Sequence, residues 1–143
     1  MRNLPDGDGN FLIRTCFTSE QVWDDLCVRV EEDASDGLLG GLRLVNDPAY
    51  EGLSAEQLLN LVPDDSGCVY LAVADARTAA PVDRPHDRTL LIVNVDPGYE
   101  EHGGTFRAMV SDFASVDANL WLANVEFSEY MEATDQDGVY QVG

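Results

Sequence analysis

The sequence has no lysine, two histidines and three cysteines, and none of its apolar runs approaches the length of about 18 residues that a membrane span requires. Each scarcity narrows the reading. With eight arginines as the entire basic complement against 27 Asp and Glu, the formal net charge is −19, which excludes nucleic-acid binding through a basic face. Cys16, Cys27 and Cys68 form an odd set without CxxC spacing, so free, buried thiols are expected rather than a disulfide framework or a zinc knuckle. The segment 1–10 has no basic start leading into an apolar run, so a cytoplasmic protein with no membrane partner is expected. No P-loop, GxSxG, HExxH or GxGxxG occurs, which sets aside several large enzyme classes.

What is present suffices for a folded domain. Apolar residues make up 45% and charged residues 24% of 143 residues, so one domain over 1–143 is expected, with a polar lead at 1–10 and an edge strand or tail at 137–143. Phe11 to Thr15 has strand character. Thr18 and Gln21 have capping-box spacing, and Val22, Trp23, Leu26, Cys27 and Val30 then recur on one helical face. Leu42 to Val45 predicts a short strand, and Asn46-Asp47-Pro48 a turn. Ser54 with Gln57 repeats the capping box before the stripe Ala55, Leu58, Leu59 and Val62, which Pro63 ends.

Cys68–Ala74 and Thr89–Val95 are almost continuously apolar, as strands covered on both faces are. Thr105–Val110 predicts a further strand, and Phe113 to Met131 a helical segment in which Leu120-Trp121-Leu122 would also suit a short strand. This order gives an α/β (α+β) fold: one mixed sheet of about five strands with three or four helices packed on it.

The acidity has two readings. A strong negative field steers association with a basic protein partner, as an immunity-like module would use it. The same field also keeps a protein soluble in a crowded or salty cytoplasm without any partner.

Candidate chemistry gathers at the ends of the two apolar strands. Both end in aspartate, Asp75 and Asp96, and parallel strands would bring the two carboxylates to one edge, where they could hold Mg²⁺. Antiparallel strands would set them at opposite ends, roughly 20 Å apart. The 13-residue link between the strands, Ala76 to Arg88, permits either arrangement. It carries Arg77, Arg84, His86 and Arg88, a candidate anion-binding loop. Otherwise no cofactor is expected. Cys16 precedes the first helix and could be activated by its dipole, but nothing in the sequence brings His86 or His102 to it as a base. Asp6 to Asn10 opens like a calcium loop, yet the sixth place is Phe11 and the twelfth Phe17, which excludes an EF-hand.

Leu12-Ile13-Arg14-Thr15-Cys16-Phe17-Thr18, Asp47-Pro48-Ala49-Tyr50-Glu51-Gly52-Leu53 and Asn119 to Phe127 together resemble a family of short acidic actinobacterial proteins with a domain of unknown function. That family carries RT(D/C)F(S/T) near its start and NLxLANxxF near its end. The resemblance implies one compact domain over almost the whole chain and lends no activity. It points to Arg14, Asn119, Asn124 and Phe127, and because the place of Cys16 is usually aspartate there, it weighs against a thiol nucleophile.

Overall fold

The computed structural model describes residues 4, 10–37, 42–62, 67–83, 88–95, 104–121 and 127–140. Their organising element is a five-stranded mixed sheet in the order β2-β1-β3-β4-β5, formed by β1 (Phe11–Arg14), β2 (Arg43–Val45), β3 (Tyr70–Ala74), β4 (Thr89–Asn94) and β5 (Thr105–Met109). β1 runs parallel to both β2 and β3, whereas β4 is antiparallel to β3 and to β5. Five α-helices are described: α1 (Glu20–Ser35), α2 (Ala55–Leu59), α3 (Ala76–Ala79), α4 (Phe113–Trp121) and α5 (Phe127–Glu132). The expected fold class therefore holds, with the helix count raised by α3, which lies in the link between the two apolar strands, and by the division of the last helical segment into α4 and α5.

Alternation along the strands sorts the core into two layers. Leu12, Ala72, Ile92 and Phe106 face one side, where Trp23, Leu26 and Val30 of α1, Phe113, Val116 and Leu120 of α4, and Phe127 and Tyr130 of α5 cover them. Phe11, Ile13, Leu71, Val73 and Val93 face the other, beneath Tyr50 and the fully buried Leu58 of α2. Because β1 and β3 are covered on both faces, all their residues are buried, which explains the nearly unbroken apolar run of β3.

The helix starts follow local hydrogen bonding. α2 has the predicted capping box, with Ser54 Oγ accepting from Gln57 N at 3.2 Å and Gln57 Oε1 accepting from Ser54 N at 2.9 Å. The expected cap of α1 is displaced by one residue. Ser19 Oγ accepts from Val22 N at 3.2 Å, while the Thr18 hydroxyl contacts Cys16 Sγ. Starting at Ser19 sets Glu20 in the first turn, where its carboxylate reaches the Arg14 guanidinium at 2.9 Å. Pro48–Tyr50 forms a short 3₁₀ turn capped by Asp47, and Gly52 follows at φ +76°, a left-handed conformation that glycine adopts without a Cβ clash.

The tail expectation is met only in single bridges. Val139 pairs with Arg107 on the outer edge of β5 and Tyr140 with Thr134, and residues 141–143 lie outside the described set. No described helix is long and apolar enough to cross a membrane.

Candidate functional site

The parallel strands place their carboxyl ends together, and the chain leaves β1 toward β2 on one flank before returning to β3 on the other. The crevice between the ends of β1 and β3 is thus a topological switch point, where open α/β sheets bind ligands. Arg14, Cys16, Trp23, Asp75 and Thr78 line it. Its volume is about 10 Å³, room for a single water at most.

Arg14 fills much of this space. Its side chain is 2% exposed, its guanidinium lies 4.3 Å from the Phe17 ring centre and 5.7 Å from that of Trp23, and its nitrogens donate to Cys16 O, Asn46 Oδ1 and Glu20 Oε1. Every polar group of the fork is directed at the protein's own atoms, so Arg14 joins the end of β1 to α1 and to the loop after β2.

Asp75 closes the other side. Its Oδ1 accepts from Thr78 N at 3.1 Å, capping α3, and both its oxygens accept from Arg107 in a two-pronged pair at 2.7 and 2.9 Å. Arg107 Nε donates to Thr89 Oγ1, so the pair fastens β5 to β4 and to the end of β3. Burial by itself raises the Asp75 carboxyl, but the hydrogen bonds and charge of Arg107 and the N–H of Thr78 outweigh it and hold the group below its ordinary 3.8.

The strand directions bear on the metal reading. Antiparallel pairing matches Tyr70 with Asn94 and Val73 with Leu91, so β4 ends at the opposite end of β3 from Asp75. Asp96 itself lies outside the described residues. The shared Mg²⁺ site required parallel strands, and Asp75 is committed to Arg107 and to α3. Among the described residues no group of three Asp, Glu, His or Cys side chains converges as metal ligands.

The arginine loop is brought together only in part. Arg77 Nη1 donates to Asp137 O at 2.8 Å, and Arg88 Nη1 donates to Thr78 O and Ala80 O at the end of α3. Arg84 and His86, like His102, lie outside the described residues. Asn119 Nδ2 donates to Tyr130 Oη at 3.1 Å and ties α4 to α5, while Phe127 packs edge-on against Phe106 at 5.0 Å. Asn124 lies outside the described residues. Cys16 Sγ is 3.2 Å from Thr18 Oγ1, and no base adjoins it among the described residues.

Arg107 and Asp117 are among the buried polar groups not anticipated from sequence. Arg107 alternates with the apolar Phe106 and Ala108, the pattern of a solvent-facing strand position, so its burial against Asp75 is not signalled locally. Asp117 is 4% exposed and accepts a short hydrogen bond from Tyr70 Oη. It falls at helical spacing from Phe113 and Leu120, so its place on the buried face was readable. Burial, together with the Asp117 carboxylate, pushes the Tyr70 hydroxyl well above its usual range.

Burial likewise pushes the Cys68 thiol from 9.0 up to about 12, and the thiol donates to Tyr70 O. A shift of that size leaves on the order of a thousandfold less thiolate at neutral pH. Alkylation with iodoacetamide at pH 8, mapped by mass spectrometry, is therefore expected to spare Cys68 in the folded protein and modify it after unfolding. Equal labelling in both states would contradict the buried environment.

The outer face of α1 is the other distinctive surface. Val28 is 52% exposed, and the positions three and four residues to either side, its neighbours on a helix, are Asp24, Asp25, Glu31 and Glu32, all exposed. The last turn adds no basic residue, so its carboxylates oppose the negative end of the helix dipole. Arg29 is bonded to the buried Asp33 on the same helix at 3.1 Å.

The model of a domain of unknown function, DUF6924, matches residues 9–142. No curated protein matches the chain. Among solved structures, prolyl-tRNA synthetase from Cryptosporidium parvum, in complex with halofuginone and AMPPNP, is similar in fold, with a TM-score of 0.51 and 11% identity over 81% of this chain. The match spans 21% of that chain, so the likeness concerns one part of a much longer protein and its fold alone.

Proposed function

We propose, from the premise that the chain belongs to the DUF6924 family and takes no activity from it, that this protein is a non-enzymatic binding module whose acidic α1 face meets a basic protein partner. The observation that carries this reading is Val28, an exposed apolar residue encircled on its helix by four carboxylates. A basic partner with one apolar side chain amid arginines or lysines matches that surface in both charge and polarity. The exposed Glu32 of the last turn adds support, because its carboxylate opposes the helix dipole, whereas the buried Asp33 beside it is paired with Arg29. The narrowness of the switch-point crevice fits the same reading: Arg14 and Trp23 occupy the position where a ligand would enter. On this view the protein works without a cofactor, in the cytoplasm.

The test compares capture of basic proteins from host lysate by the native chain and by the combined variant Asp24→Asn, Asp25→Asn, Glu31→Gln, Glu32→Gln. Capture at low salt should be lost at about 0.5 M salt, where the Debye length falls to about 4 Å, and lost in the variant at any salt. A captured protein indifferent to both changes overturns the reading. The same substitutions should leave the fold more stable, with Glu32→Gln alone raising Tm by about 1–2 °C through relief of the dipole conflict. A fall in Tm would mean that these carboxylates serve the fold.

A further inference from the structure

Where α3 and the turn ending at Val139 flank the ends of β4 and β5, a groove of about 380 Å³ opens, within the usual range for a small-molecule site. Ala80, Pro81, Val82, Met109 and Val139 give it apolar walls, and Arg77 stands at its side. The other polar groups of the lining are already engaged. Thr89 Oγ1 accepts from Arg107, and Asp135 Oδ1 accepts from Asp137 N and Val139 N within the turn.

Arg77 differs from them. It is exposed and gives one N–H to Asp137 O, and among the described residues it forms no ion pair, although the chain carries 27 acidic residues. Arg88, behind it, is likewise bonded to carbonyls and not to a carboxylate. The groove therefore combines apolar walls with a guanidinium fork that has donors to spare, while the charge of Asp135, also in the lining, disfavours a dianion.

We propose that this groove binds a small monocarboxylate with a compact apolar body, its carboxylate on Arg77 and its body against Val82, Met109 and Val139. Phosphate dianion is disfavoured by the charge of Asp135. The site uses no residue of α1 and stands independently of the partner surface proposed above.

Phenylbutyrate serves as the probe, with its neutral amide and inorganic phosphate as comparisons, in a titration of isotope-labelled protein followed by NMR. Saturable shifts at Met109 and Val139 are expected with phenylbutyrate, at least tenfold weaker with the amide and absent with phosphate. Arg77→Gln should weaken binding at least tenfold, Arg77→Lys less, and Arg43→Gln, at the far edge of the sheet, not at all. Because Arg77 also holds the turn through Asp137 O, a second variant, Val82→Glu, places a carboxylate on the groove wall and should abolish binding with Arg77 intact. Equal affinity for acid and amide overturns the proposal, as does phosphate binding at the same residues, unaltered binding by Arg77→Gln and Val82→Glu, or no saturable shift up to about 10 mM.

Discussion

Asp75→Ala should lower the stability of the protein by about 3 kcal/mol or more, a shift in Tm of about 10 °C for a domain of this size. The substitution strands the Arg107 guanidinium, 9% exposed, without its carboxylate, and it strips α3 of its cap in the same step. The reverse change, Arg107→Met, should cost less, because Asp75 is 26% exposed, can be solvated in part and still caps α3. The double variant should accordingly be more stable than Asp75→Ala alone. Asp75→Ala within about 1 kcal/mol of the native protein would show that the pair adds little to the fold.

The pair also sets an acid limit. The folded Asp75 carboxyl lies below its unfolded value of 3.8, so the folded state binds its proton less tightly. Its contribution is fully present above 3.8 and is lost as the pH falls through the folded value. Protonation of the many surface carboxylates relieves repulsion over a similar interval and masks this loss in the native protein alone. The difference between the native protein and Asp75→Asn, measured by denaturant unfolding, isolates it, and that difference should shrink steadily below pH 4. A constant difference would show that the carboxylate's charge is not what the substitution removes, because asparagine still caps α3.

The path from sequence to these groups was uneven for physical reasons. Local signals were legible: the Ser54–Gln57 box, the Trp23, Leu26 and Val30 face, and the unbroken apolar run of β3 each translate directly into the observed element. The cap of α1 was read one residue early because Thr18 and Ser19 both offer a hydroxyl, and tertiary contact of Glu20 with Arg14 accompanies the choice between them. Strand direction was not legible. A 13-residue link closes a parallel or an antiparallel connection equally well, and the Mg²⁺ reading of Asp75 and Asp96 depended wholly on that choice. The bond between Asp75 and Arg107 spans 32 residues and two strands, so no local pattern announces it. Of the four positions suggested by resemblance, the three among the described residues, Arg14, Asn119 and Phe127, join elements: β1 to α1, α4 to α5, and α5 to β5.

Arg14→Ala is the second substitution expected to be severe, at about 3 kcal/mol or more, through loss of the largest fully buried side chain and a cavity at the switch point. Which part of the side chain matters can be separated by Arg14→Met. The ionic partner Glu20 is 74% exposed and Asn46 is exposed, so both regain water when the guanidinium is removed, in contrast to the buried groups that Asp75→Ala leaves behind. Methionine restores most of the volume between Phe17 and Trp23, so Arg14→Met should recover more than half of the loss caused by alanine. If methionine proves as damaging as alanine, the hydrogen bonds to Cys16 O and Asn46 Oδ1 carry the stability, and Arg14 acts as a polar clamp. If it recovers, the fold needs the stem of Arg14 and its stacking between Phe17 and Trp23, and not its charge.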